Sequence, residues 1–259
     1  MAAPLVTITS DLGTRDFYVS AIKGALIGQV PGVTVVDVSH EIEQYNLMQA
    51  AFVVRNAYPN FPEGTVHIIA VKNEHSRDTP HVACIYFGHI FIGTDNGVFS
   101  MIFDKRPDVI VELPSGAGSV FPARDVFVPA IAKLNELRKV DMLGPRRENI
   151  NEVTMLRPTT EDALIKGTVI YIDNFGNVIT NIKPDVFDRI GKKLPFDITF
   201  RGSEYDVTRL SKTYADVPAG EVAALFGISG YLEIAINQGN AGKLLGLRVG
   251  DPIRIEFKQ

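Results

Sequence analysis

The residues of this chain best suited to chemistry are acidic and amide side chains set beside glycines at strand ends. The first is Asp11, in Ser10-Asp11-Leu12-Gly13-Thr14-Arg15-Asp16. The apolar, β-branched run Leu5 to Thr9 precedes it, and Tyr18 to Leu26 carries apolar residues at helical spacing. A strand therefore enters an acidic turn that opens into a helix. In an open α/β sheet, ligands bind at the carboxyl ends of strands. An Asp there can accept two hydrogen bonds from a ribose diol or bind a metal, and it can also cap the following helix. On this segment alone the cap is the favoured reading.

Val36-Asp37-Val38-Ser39-His40-Glu41-Ile42 gathers an Asp, a His and a Glu that could hold a metal. Their spacing differs from helical zinc motifs such as His-Glu-x-x-His. A strand end with Ser39 capping the next segment is preferred, and no metal site is expected. Thr94-Asp95-Asn96-Gly97 follows an apolar strand. It reads equally as a plain Asn-Gly turn or as a polar loop at the sheet edge of Asp11. Tyr171 to Asn181 packs Asp173, Asn174, Phe175, Gly176, Asn177 and Asn181 around one strand boundary. Asx residues and glycine favour turns. An aromatic face among amides and a carboxylate also suits a purine or an amino-acid ammonium. The ligand reading gains from Ser229-Gly230-Tyr231 and from Asn237-Gln238-Gly239-Asn240-Ala241, where glycine leaves backbone N–H groups open to a carboxylate or a base edge.

Alternating elements must position these groups in the first half. Strands are expected at Val33–Val38, Thr65–Val71, His81–Phe87 and His89–Gly93, the last two joined at Gly88. Helices are expected at Asn46–Ala57 and Val126–Leu137. This alternation predicts an N-terminal, mainly parallel α/β sheet domain over residues 1–155. From Leu164 onward strand patterns dominate, at Gly167–Ile172, Phe196–Phe200, Glu221–Phe226, Tyr231–Ile236 and Asp251–Phe257. They predict a small C-terminal β-barrel-like domain over 156–259, with a linker near Asn149–Glu161.

The chain has 259 residues, room for one large or two medium domains. A net charge of -4 without a basic run argues against nucleic acid as the partner. The single cysteine, Cys84, lies in an apolar strand pattern. It excludes an intrachain disulfide and a cysteine-based zinc site, and it reads as a buried, inert thiol. No run reaches the length of a membrane span, and Met1-Ala2-Ala3-Pro4 carries no signal-peptide pattern, so a cytoplasmic protein is expected.

Taken in order, these segments resemble one family, the S-adenosylmethionine hydroxide adenosyltransferases with their fluorinase and chlorinase relatives. The matching stretches are Ser10–Asp16, Val36–Ile42, Phe61–His67, Gly93–Gly97, Arg124-Asp125, Asp173–Asn181 and Tyr231–Ala241. The resemblance implies an α/β domain followed by a β-barrel-like domain, assembled as a homotrimer. S-adenosylmethionine would be the substrate or ligand, with no separate cofactor. It implies that Asp11 accepts the ribose diol and that Asp173 pairs with the methionine ammonium. Phe175 and Asn177 would line the ligand, Ser229 and Gly230 would face its carboxylate, and Asn237 would face the adenine edge.

The reacting half departs from the family pattern. Hydrolytic members place Asp, Arg and His around the reacting carbon. Here Lys72 stands at the Asp position, Pro122 at the His position, and Arg77 is retained in a shorter loop. The halogenase pattern is absent too, since Ala123 stands at the halide-contacting Ser and Lys72 at the Tyr. Glu74 and His75 lie in the altered loop, and His75 could orient or deprotonate water; a solvated polar loop is the simpler reading. Three functions are open: hydrolysis of S-adenosylmethionine to adenosine and methionine with Arg77 and His75 as catalytic residues, a silent binding protein for that ligand or adenosine, and a trimer with a vestigial pocket.

Overall fold

The apolar runs of the first half form one sheet in the computed structural model, which describes residues 4–116, 118–200 and 207–258. The order is β1 (Leu5–Ser10), α1 (Tyr18–Gln29), β2 (Thr34–Ser39), α2 (Leu47–Ala57), β3 (Val66–Ala70), β4 (His81–Tyr86), β5 (His89–Thr94), α3 (Val98–Ile102), β6 (Val109–Glu112) and α4 (Val128–Leu137). The six strands lie in the order β2-β1-β3-β5-β4-β6. The pairs β1–β2, β1–β3 and β3–β5 are parallel, and β4 runs antiparallel to both its neighbours.

Helices cover both faces. Ile68 and Ala70 of β3 pack with Ile22 and Leu26 of α1 and Ile131 of α4. Ile69, between them in sequence, packs with Ala50 and Val54 of α2 and Phe99 of α3. Because side chains alternate across a strand, a strand covered on both sides reads as an unbroken apolar run. Asn46 caps α2 by accepting the Gln49 N–H. Asp11 caps nothing at α1: that helix begins at Tyr18 with Phe17 at its N-cap and no side-chain cap bond. This corrects the cap reading and leaves the Asp11 carboxylate for other partners.

The second half forms β7 (Thr159–Glu161), β8 (Leu164–Ile172), β9 (Val178–Thr180), α5 (Pro184–Gly191), β10 (Phe196–Thr199), β11 (Val222–Phe226), β12 (Leu232–Ile236), α6 (Ala241–Leu244) and β13 (Pro252–Phe257). Its strands run β10-β13-β8-β9-β12-β11, with β7 on β8, in a curled half-barrel. Strand β8 makes the curl possible. Its first part pairs with β13 and its last part with β9, with a register shift between Val169 and Tyr171. Such irregularities bend a strand and raise its twist. Ile165, Val169, Ile234, Ile253 and Ile255 fill the concave core.

The chain divides into two compact units, Met1–Thr154 and Met155–Gln259. The expected linker is only partly a linker. Asn151 is bonded into the first unit through Asp95, and Thr159–Glu161 is strand. The expected helix from Val126 starts at Val128, preceded by a wide π-type turn over Ala123–Phe127. Among the described residues, no helix is long and apolar enough to cross a membrane.

Candidate functional site

In the first unit β1, β2, β3 and β5 end at one edge of the sheet. Asp11 directly follows β1 there. Its Oδ2 accepts the Tyr45 N–H at 2.9 Å and the Lys72 N–H at 3.3 Å. Both donors sit in the left-handed region, with φ 65° at Tyr45 and 46° at Lys72. Each such non-glycine residue costs about 1 kcal/mol or more, a kind of strain that clusters at functional sites. Oδ1 of the half-buried carboxylate takes no part in these bonds.

The Thr94–Gly97 loop combines its two readings. Asn96 Nδ2 donates to the carbonyls of Val71, at 3.1 Å, and Lys72, at 2.8 Å, so this turn holds the Lys72 backbone against Asp11. Asp95 beside it is fully buried and accepts the Asn151 N–H with both oxygens, at 2.9 and 3.0 Å. Burial pushes its carboxyl pKa up, against the pull of the Asn151 bond and the Arg147 charge.

His75 and Arg77 are exposed in the loop between β3 and β4. The loop is closed by Ser76 Oγ at 2.7 Å from Thr79 Oγ1. The His75 ring stands edge-on to His81, with centroids 5.1 Å apart. His81 is fully buried, and its Nδ1 lies 3.0 Å from Thr94 Oγ1. Burial, with the His75 charge adding to it, lowers the His81 pKa to about 4. Sequence reasoning saw His81 only as the first residue of a strand. Its pairing with His75 had no local signal. Pro122 opens the turn that carries Arg124 and Asp125, which pair at 2.6 Å. The Arg124 guanidinium lies over the Phe121 ring at 5.4 Å, and Tyr18 meets the same ring edge-on at 5.5 Å.

Asp37, His40 and Glu41 are used separately. His40 meets Ser10 and Asp37, while Glu41 accepts the Thr14 hydroxyl at 2.9 Å. Ser39 Oγ accepts the Glu41 N–H at 3.2 Å, the local cap expected there. Among the described residues, no three His, Cys, Asp or Glu side chains are grouped to hold a metal.

In the second unit Asp173, Phe175 and Asn177 form one tight turn. Asp173 Oδ1 accepts the N–H groups of Phe175, at 2.9 Å, and Asn177, at 2.8 Å. Its Oδ2 accepts Asn177 Nδ2 at 2.9 Å. Gly176 has φ 88° and packs against the Asn240 side chain, where any Cβ would collide. Phe175 is thrown outward and is 76% exposed, a large apolar ring held away from the core. Ser229 and Gly230 lie in the turn before β12, closed by the Gly230 N–H on the Gly227 carbonyl at 3.0 Å.

Glu233 is the residue that sequence reasoning missed here. It is 5% exposed, lies under Gly227, and accepts the Tyr214 hydroxyl at 2.8 Å. Burial raises its pKa, and the Asp173 charge raises it further against the Tyr214 bond. Burial and the same two carboxylates push the Tyr214 phenol well above its usual range. Asn237 lies at the far end of β12 from Ser229, and its Nδ2 is spent on the Val217 carbonyl at 2.7 Å.

A doubly covered α/β unit with an acid at its carboxyl edge, followed by a curled antiparallel unit with polar turns, defines the protein as a two-unit α/β plus antiparallel-β protein. Comparison supplies the family. Residues 6–144 match the SAM hydroxide adenosyltransferase N-terminal domain, and residues 167–254 match its C-terminal domain. The chain belongs to the SAM hydroxide adenosyltransferase family. It is 30% identical to the (R)-S-adenosyl-L-methionine hydrolase of Thermus thermophilus, over 96% of this chain and 98% of that one. It is 25% identical to a fluorinase of Nocardia brasiliensis, over 98% and 97% of the two chains. Its fold matches the crystal structure of an uncharacterized conserved protein from Thermotoga maritima. That match has a TM-score of 0.87 at 26% identity and covers 97% of this chain and 99% of that one.

Proposed function

We propose that this protein hydrolyses S-adenosyl-L-methionine to adenosine and L-methionine. A water oxygen attacks the ribose C5′ in line with the C–S bond. The C5′–O bond forms as the C5′–S bond breaks, and its electron pair neutralises the sulfonium as the thioether of methionine. The leaving group needs no proton, so the protein must only hold the substrate, place the water and accept the water's proton.

The observation that carries this reading is Asp11: a carboxylate at the carboxyl edge with one oxygen pinned by two backbone N–H groups and the other directed to neither. That geometry suits a ribose diol, and the relatives named as hydrolases support the substrate. In this reading Asp173 takes the ammonium, and Phe175 and Asn177 line the ligand. Ser229 and Gly230 face the carboxylate, and Asn237 faces the adenine edge. Arg77 and His75 serve the reacting water. The proposal includes a cytoplasmic homotrimer that needs no cofactor beyond the substrate itself, and neither nucleic acid nor membrane.

Incubation with S-adenosylmethionine followed by chromatography for adenosine tests it. Adenosine above the no-protein control is expected, and its absence overturns hydrolysis. Lys72 and Pro122 at the positions where hydrolytic members place Asp and His favour a second reading, a silent binding protein. Binding heat with S-adenosylmethionine or adenosine, without product, would select it. Light scattering tests the trimer against a chain mass of 28.4 kDa.

A further inference from the structure

Behind Asp11 lies a polar chain, buried at Ser10 and His40 and open to solvent at Asp37, that the proposed chemistry does not use. Ser10 Oγ is 2.7 Å from His40 Nδ1, with both side chains buried. His40 Nε2 stands 3.0 Å from Asp37 Oδ1, in a bent contact rather than an aligned hydrogen bond. Asp37 Oδ2 pairs with Lys23 of α1 at 2.5 Å. Ser, His and Asp in series suggest a nucleophile, but Ser10 is 0% exposed and has no path to a substrate. The partners assign the tautomer instead. The Asp37 carboxylate beside Nε2 favours the proton on that nitrogen, and in that tautomer Nδ1 accepts the Ser10 hydroxyl.

We infer that His40 is a positioning residue that sets the Asp11 carboxylate for a vicinal diol through Ser10 and the 40–45 segment. The inference rests on the reading of Asp11 as the diol acceptor. The ring joins the end of β1 to the segment leaving β2, and further bonds close the same seam. The Gly13 N–H donates to the His40 carbonyl at 2.8 Å, and Thr14 Oγ1 donates to Glu41 at 2.9 Å. The seam ends at Tyr45, whose N–H pins Asp11 Oδ2. Tyr45 holds a left-handed conformation, which persists only where the surroundings over-determine it. With the His40 ring removed, the buried Ser10 hydroxyl loses its acceptor and the 40–45 segment loses its one buried side-chain tie to β1, keeping the Gly13 and Thr14 bonds. The Tyr45 N–H then drifts from Asp11.

The test compares binding of adenosine and 2′,3′-dideoxyadenosine by calorimetry in wild type, His40→Ala and His40→Asn, with circular dichroism as the check on folding. Wild type should prefer adenosine. His40→Ala should lose about tenfold of that preference, the worth of one hydrogen bond to a charged group, while dideoxyadenosine affinity changes by less than about twofold. His40→Asn can place an amide oxygen near the Nδ1 position and should keep more of the preference. An unchanged preference in His40→Ala overturns the inference, and so does an equal weakening of both nucleosides, which marks general structural damage. If His40→Ala does not fold, Ser10→Ala carries the test with the same expected loss and the same overturning results. A wild type without diol preference overturns the reading of Asp11 and the inference together. A wild type with the preference but no hydrolysis sinks the proposed reaction and leaves the inference to be decided by the variants.

Discussion

Asp11 and Asp173 are both carboxylates beside a glycine at a strand end, yet they are held in opposite ways. The bonds to Asp11 come from residues 34 and 61 positions away, in the segments that follow β2 and β3. The bonds to Asp173 come from within its own turn, two and four residues on. One oxygen of Asp11 takes both of its backbone bonds, whereas both oxygens of Asp173 are engaged. A locally closed turn presents its neighbours, above all the exposed Phe175. A carboxylate held by distant backbone presents itself. Asp11 is therefore the less committed of the two carboxylates, and Asp173 would meet a ligand ammonium while also holding its own turn.

The contrast can be broken by substitution. Asp11→Ala should lower turnover of S-adenosylmethionine by about 10³-fold, since it removes charge-assisted bonds to a diol worth several kcal/mol together. Turnover close to wild type would remove Asp11 from the site. His75→Ala probes the exposed loop, where few bonds hold anything in place. If His75 accepts the proton of water, turnover falls by about 10²-fold. Unchanged turnover takes His75 out of the mechanism and leaves positioning to carry the rate.

Gly176→Ala attacks the local turn. A methyl group there is strained at φ 88° and collides with Asn240, so unfolding in urea should show a loss of about 2 kcal/mol. A loss below a few tenths would mean that the turn relaxes easily and that its contrast with Asp11 is weaker.

Acid titration compares the two ends of the first sheet. Burial lowers the pKa of His81, at the Asp11 edge, to about 4, and that of His67, near the opposite ends of the strands, to about 3. Both folded values lie below the ordinary 6.5, so the unfolded chain takes up protons that the folded chain refuses. Their contribution to stability is whole above that value and is lost as pH falls toward the folded values. The slope is at most about 1.4 kcal/mol per pH unit per histidine. Flat stability between pH 6.5 and 4 would contradict their burial as neutral rings.

The smallest effect is expected from Lys72→Gly, which relieves a left-handed residue while keeping the N–H that reaches Asp11. Thermal unfolding should show a gain of about 0.5 kcal/mol. A loss would place the Lys72 side chain in a stabilising contact.

Much of the fold was legible because its signals are local. β3 and β5 announce themselves by apolar composition, and α2 by its helical run, which the structure shows is capped by Asn46. β9 was not legible: three buried residues inside an Asn-rich stretch show no alternation. α3 was hidden because all but one of its residues are buried, so its apolar run reads like a continued strand. α5 did carry signals, Pro184 at its start and Asp185 in its first turn, but strand patterns on either side masked them. In the site, the turn around Asp173 was readable from Asp, Asn and Gly alone. His81, Glu233 and the Ser10–His40–Asp37 chain were not.

By itself the sequence determined the two-part architecture, the place of Asp11 at a strand end, the turn at Asp173 and the ordered motifs that mark the family. Those arise from side-chain periodicity and turn chemistry, which act over a few residues. Only the tertiary structure decided that Asp11 faces Tyr45 and Lys72 instead of capping α1, that His40 reaches Ser10 and Asp37, and that Glu233 is buried beneath the Ser229 turn. The physical reason is that a buried polar group must find its partners wherever packing brings them. In a sheet whose neighbouring strands lie tens of residues apart in the chain, that distance leaves no mark on local sequence.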